Sequence, residues 1–214
     1  MPAQRAEVDA EPVVALRAAD VAVREQTLAP VAGVAPRRLA GVGERRPHGR
    51  VGVDVKPPVW PTLAEAREAS RRHPGHGRAS LFSDCFVCGS QRHDGLGIHF
   101  GPLRGHSDVT AAVFLPDATV PNRAGIVTPE MTWAALDCPS YTPPLWDWER
   151  PSLLARLAVE RLDCVEVGEP VIALGWHIAT ERRKHHTASA LLSADGRVLA
   201  RARALWITLA GTPR

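Results

Sequence analysis

The chain has 214 residues, 45% of them hydrophobic, and carries 26 Lys and Arg against 23 Asp and Glu for a formal net charge of +3. That length holds one ordinary domain plus an extension, or two small domains, with enough apolar residues for a real core. So mild a charge argues against a nucleic-acid binder, which concentrates its basic residues on one face, and four cysteines are too few for a disulfide-dense secreted scaffold. Near the N-terminus, "VVALRAADVAV" is interrupted by Arg17 and Asp20, so it does not read as a secretory signal. No run approaches the roughly 18 apolar residues of a membrane span. The expectation is a soluble protein of a reducing compartment, cytoplasmic, without a membrane span.

Residues 1 to about 57 are rich in Ala, Val, Arg, Pro and Gly and follow neither the helical nor the strand period, apart from a short helix expected around Val13 to Gln26. In "TLAEAREASRRHPG", Thr62 is an N-cap, Glu65 completes a capping box, and Pro74-Gly75 end the helix. Arg71, Arg72 and His73 suit its negative C-terminal end. Residues 1–78 are therefore read as an N-terminal extension, partly flexible with short helices, and 79–214 as the folded domain.

Cys85-Phe-Val-Cys88 has zinc-knuckle spacing, with His93 and His99 nearby as potential ligands. A second pair is missing, because Cys138 and Cys164 lie singly in stretches that read as core. A packed turn is the favoured reading, and "GSQRHDGLG" is no helix of the kind that follows a redox pair. No metal and no cofactor are expected.

From Gly97 the pattern becomes that of a sheet. "GIHFGPL" reads as a short strand, and "SDVTAAVFLP" places Val109, Ala111, Val113 and Leu115 on one face. Next comes "GIVTPEMTWAALDCPS", a helix with Thr128 as N-cap, Pro129 at its first position and Glu130 at its positive end. Pro139 stops or kinks it, and Asp137, two turns beyond Glu130, would share a face with it. Then "LLARLAVERLDCVEV", "PVIALGWHIATE", "HHTASALLSA" and "RVLARARALWITLA" read as strands separated by "GEP", "RRK" and the hairpin signal "DG". Two strands, one helix and four more strands describe an α+β fold, a curved antiparallel sheet wrapped around a central helix that covers one face.

Several of these stretches resemble hotdog-fold thioesterase-like proteins. "CFVCGSQRHDGLGIHF" resembles their "CFxCG…GLGL" opening, "ERRKHHTASALL" their basic segment before the penultimate strand, and "DGRVLARARALWI" their closing hairpin and strand. The resemblance covers residues 80 to 210. It implies a hotdog fold, self-association as a homodimer or dimer of dimers, and action on acyl-CoA or a related thioester. Within it, Asp137 matches the helix acid that acts as nucleophile or as general base for water, and the helix N-terminus supplies N–H donors to the carbonyl oxygen.

The helix start departs from that pattern. Thr128 stands where the family often has His, and Pro129-Glu130 where it has Gly-Gly, and proline has no N–H to donate. The catalytic candidates are thus Asp137, Glu130 and Thr128. Met131 and Trp133 on the helix are candidate pocket walls, Trp146 and Trp148 candidate lid or interface residues, and Arg182, Arg183 and Lys184 candidate contacts to substrate phosphates. For Asp137 the competing reading is a structural acid hydrogen-bonded near a helix end, where the dipole disfavours it. The competing function is an acyl-CoA or lipid-binding protein that has lost catalysis.

Overall fold

The computed structural model describes residues 53–75, 82–147 and 149–210, all within the compact unit Gly49–Arg214. The helix expected around Val13 to Gln26 lies outside the described residues. The elements are helix α1 (Leu63–Ser70), strands β1 (Gly101–Pro102), β2 (Val109–Phe114), β3 (Asn122–Arg123) and β4 (Ile126–Val127), helix α2 (Pro129–Ala135), then β5 (Ser152–Arg161), β6 (Val171–Glu181), β7 (Lys184–Leu192) and β8 (Val198–Thr208). Short 3-10 turns at Cys138–Ser140 and Pro143–Leu145 connect α2 to β5. Six strands form one antiparallel sheet in the order β1-β2-β6-β7-β8-β5, and β3 and β4 make a separate hairpin. Among the described residues no helix is long and apolar enough to cross a membrane.

The α+β architecture is the expected one, with a difference in how the sheet is covered. Two apolar layers flank the sheet instead of one. On one side Ala112, Phe114, Ala173, Leu191, Ala202 and Trp206 pack with Ala135, Leu136 and Cys138 from the central helix region. On the other, Val109, Ala111, Leu174, Trp176 and Ala190 pack with Ala66 and Ala69 of α1 and with Val55. Strand residues of alternating parity point to opposite faces, so covering both faces demands continuous burial along a strand. β2 shows this, with only Val113 half-exposed, whereas Leu115 just beyond it is 58% exposed.

The first expected strand is shorter than the sequence pattern suggests. Leu96 and Ile98 donate their backbone N–H to Phe86 and Val87 carbonyls (2.7 and 2.9 Å), so this stretch pairs with the cysteine loop instead of the sheet. The strand expected to run through Cys164 ends at Arg161, and Cys164 is exposed in the following turn instead of buried in the core. There Leu162 and Asp163 both donate to the Leu199 carbonyl, which breaks the ladder.

α1 is capped as its sequence dictates. The Thr62 hydroxyl accepts from the Glu65 N–H at 3.2 Å, and the Glu65 carboxylate accepts from the Thr62 N–H at 2.7 Å. Arg201 on β8 then ties the preceding segment to the sheet through Asp54 (2.9 Å) and Glu160 (2.7 Å). Thr62→Ala removes one half of the capping box and is expected to lower unfolding free energy by about 1 kcal/mol, measured by urea denaturation of the full chain.

Candidate active site around Asp137

The central helix is shorter than the sequence predicts. Its α-helical hydrogen bonds stop at Ala135, after which Leu136 and Asp137 donate to Trp133 and Ala134 (3.2 and 3.1 Å), three residues back. Pro139 has no N–H and its ring crowds the carbonyl four residues earlier, so the chain tightens into a 3-10 turn. Asp137 consequently lies in that turn, beyond the helix, and does not share a helix face with Glu130. The two carboxylates occupy different surroundings, Glu130 exposed and Asp137 half-buried.

Breaking the helix leaves its last carbonyls without intrahelical partners, and the sheet supplies them. Ser189 on β7 donates to the Leu136 carbonyl at 2.6 Å, and Thr110 on β2 donates to the Pro139 carbonyl at 2.7 Å. Ser140 donates its hydroxyl to the Asp137 carbonyl at 2.6 Å and accepts from the Trp206 indole at 2.9 Å. Gly175 on β6 lies directly under the Pro139 carbonyl, where a Cβ would collide with the oxygen. Thr110, Ser189, Ser140 and Gly175 were not singled out by sequence reasoning. Their only local signal is a small polar residue or glycine inside an otherwise apolar strand or turn.

This docking fixes the backbone of Asp137 and leaves its side chain half-buried, with Oδ1 enclosed and making no hydrogen bond. A structural acid at a helix end would have its oxygens paired, so that reading finds no support in the geometry. Burial pushes the carboxyl up to about 6, and negative charge at Cys85 acts in the same direction. A half-buried carboxyl with a raised affinity for protons is the kind of group that takes a proton from water at near-neutral pH.

The other helix-start candidates behave differently. Thr128 holds the extended N-cap position, yet its hydroxyl makes no cap bond to the helix. Interaction with Glu130's own backbone N–H, and then with the Thr128 hydroxyl, holds the Glu130 carboxyl below its usual range. Met131 packs half-buried on the core, whereas Trp133 is 43% exposed. Trp146 is half-buried beside Phe100, with its indole donating to the Tyr141 carbonyl at 2.9 Å, so it packs as a core residue. Trp148 lies outside the described residues.

Arg182, Arg183 and Lys184 are exposed at the tight turn between β6 and β7. Arg182 adopts φ +56, the left-handed conformation that a two-residue hairpin turn requires at its first central position. Along β6 this turn stands seven residues from Gly175, roughly 23 Å at strand rise. Within one protomer the basic turn and Asp137 are therefore not brought together.

The loop carrying Cys85 and Cys88 does reach the Asp137 turn. Cys85 Sγ lies 3.5 Å from Cys138 Sγ, and the thiols of Cys138 and Cys88 hold Cys85 far below the ordinary thiol range by donating to it. Cys138 is correspondingly pushed up.

No protein-family model matches the chain, and no curated protein matches it by sequence. Solved structures do match. A thioesterase superfamily protein superposes with a TM-score of 0.53 at 18% identity, over 71% of this chain and 68% of that one. Zebra fish thioesterase superfamily member 2 gives 0.49 at 14% identity, over 71% and 100%. A Haemophilus influenzae thioesterase gives 0.48 at 14% identity, over 53% and 79%. The first likeness shows the fold: this chain has the α+β hotdog architecture found in the thioesterase superfamily.

Because Gly175 and Ser189 seat the turn that carries Asp137, both positions are sensitive. Gly175→Ala is expected to destabilise the protein by about 3 kcal/mol or more through overpacking, and Ser189→Ala by about 1–3 kcal/mol by orphaning the Leu136 carbonyl. Chemical denaturation of each variant against wild type measures both.

Proposed function

We propose that the protein hydrolyses an acyl-CoA-type thioester, with Asp137 as the general base for water or the nucleophile. One observation carries this reading: a half-buried carboxylate is held in the turn just after the central helix, with one oxygen enclosed and free of any hydrogen bond, at the cost of partly desolvating a charge. As base, it takes a proton from water as the water attacks the thioester carbonyl. As nucleophile, its carboxylate attacks the carbonyl, expels the thiolate and leaves an anhydride that water then opens. The coupling of Asp137 to the docked 3-10 turn supplies the positional rigidity that either role needs.

The substrate's phosphates are assigned to Arg182, Arg183 and Lys184, whose exposed charges suit a nucleotide carrying several anionic groups. An extended nucleotide-pantetheine thioester is long enough to run from that turn along the sheet, and a homodimer offers a second copy of the turn. β5, paired with β8 on one side only, is an edge strand ten residues long with Leu153 48% exposed, the surface on which such a dimer would form.

A second reading is favoured by the helix start. Proline at its first position, which has no N–H to donate, and the Glu130 carboxylate next to it leave a poor oxyanion site, which suits a protein that binds acyl-CoA without hydrolysing it.

Thiol release across a panel of acyl-CoAs separates the two. Under the hydrolase reading, wild type turns over at least one acyl-CoA, and Asp137→Asn lowers kcat by about 10²–10⁴-fold with binding retained. Binding without turnover in wild type selects the binder, and unchanged kcat in Asp137→Asn removes Asp137 from the chemistry. Replacing Arg182 and Arg183 together by Ala is expected to raise KM for acyl-CoA about tenfold, or about 1.4 kcal/mol, and to leave KM for acyl-pantetheine thioesters, which lack the nucleotide, unchanged.

A further inference from the structure

We propose that Cys85, Cys88 and Cys138 form a zinc site that clamps the N-terminal cysteine loop to the turn carrying Asp137. The inference does not rest on the hydrolase reading. Sequence spacing offered only a CxxC pair, and the fold supplies the third thiol from a residue 50 positions beyond Cys88.

Three observations converge on it. The three Sγ atoms all lie within 4.8 Å of one another, and Cys85 and Cys138 are 3.5 Å apart. Thiolates bound tetrahedrally to zinc at about 2.3 Å stand about 3.8 Å from each other. The sulfurs are thus already at the spacing of a coordination sphere, and too far apart for the roughly 2.05 Å bond of a disulfide.

Second, the loop has the backbone of a metal knuckle. Gly89 N–H returns to the Cys85 carbonyl at 2.8 Å, and the Phe86 and Val87 carbonyls accept from Leu96 and Ile98 N–H at 2.7 and 2.9 Å, so the turn between the two cysteines is held on both sides. Gly89 is required there, because an added Cβ would run into the carbonyl oxygens of Ser83 and Cys85.

Third, the site is enclosed. Cys88 and Cys138 are buried and Cys85 half-buried, which excludes competing solvent. Three soft thiolates select zinc over magnesium or calcium, which prefer oxygen. Three protein ligands leave zinc a fourth position for water or a neighbouring group. Binding sends the thiol protons to solvent and joins two segments 53 residues apart in sequence.

The full chain is expressed with added zinc, purified under reducing conditions without chelator, and its metal content measured. One zinc per chain is expected in wild type and in Cys164→Ser, whose thiol is exposed and outside the cluster. Cys85→Ser and Cys138→Ser are each expected to lose it, with zinc affinity down by about 100-fold or more. Should these variants not fold, wild type stripped of metal by a chelator and titrated with Co²⁺ gives the same answer. Thiolate-to-cobalt charge-transfer absorption saturates at one equivalent and disappears on adding zinc. Wild type that carries no stoichiometric zinc and develops no such absorption overturns the proposal, as does zinc retained undiminished in Cys138→Ser. A cluster of free thiols that alkylates equally fast with and without zinc overturns it too.

Discussion

The central constraint is the seating of a broken helix on the sheet. Pro139 ends the α-helical ladder, and the carbonyls it frees are received by Ser189, Thr110 and Ser140, over a glycine that leaves room for the closest of them. A buried carbonyl without a donor is expensive, so these polar side chains are required inside an apolar layer. They convert an unfavourable helix end into a defined turn. Both candidate sites of the central region hang on that turn, because Asp137 and Cys138 are adjacent residues in it.

The sheet makes the seating possible by being covered on both faces. α1 and the segment around Val55 bury one side, and the central helix region buries the other, so β2, β6, β7 and β8 are held from both directions. A sheet covered on one face only would leave those strands freer to shift, and hydrogen bonds of 2.6–2.7 Å to the turn need a rigid platform. Arg201, joined to Asp54 and Glu160, extends the same logic to the N-terminal segment of the described chain.

Around the turn two chemistries lie side by side. Asp137 has a carboxylate oxygen with no partner, and next to it Cys138 meets the cysteine loop. Negative charge at Cys85 adds to burial in raising the proton affinity of Asp137. What occupies the thiol cluster therefore bears on how the acid behaves, since both sit in the same poorly solvated volume. The basic turn at Arg182 to Lys184 stands apart, at the far end of a hairpin.

Much of the fold was legible in the sequence because it depends on local signals. The capping box of Thr62 and Glu65, the "DG" hairpin before β8, and the presence of a strand at β2 follow from short-range geometry. Pro139 announced a helix end for the same reason, and Asp137 stood out as a charge within an apolar stretch. What the sequence left open involves pairs of residues far apart along the chain. Periodicity could not tell that "GIHF" pairs with the cysteine loop, that α1 covers the second face, or that Cys164 faces solvent. Nor could spacing join Cys138 to Cys85 and Cys88, or bring Ser189 and Thr110 to the helix end. The sequence by itself determined the elements and named the acid. Only the tertiary structure decided the company that acid keeps, because burial, orphaned oxygens and sulfur clusters are properties of contacts between distant segments and have no local period.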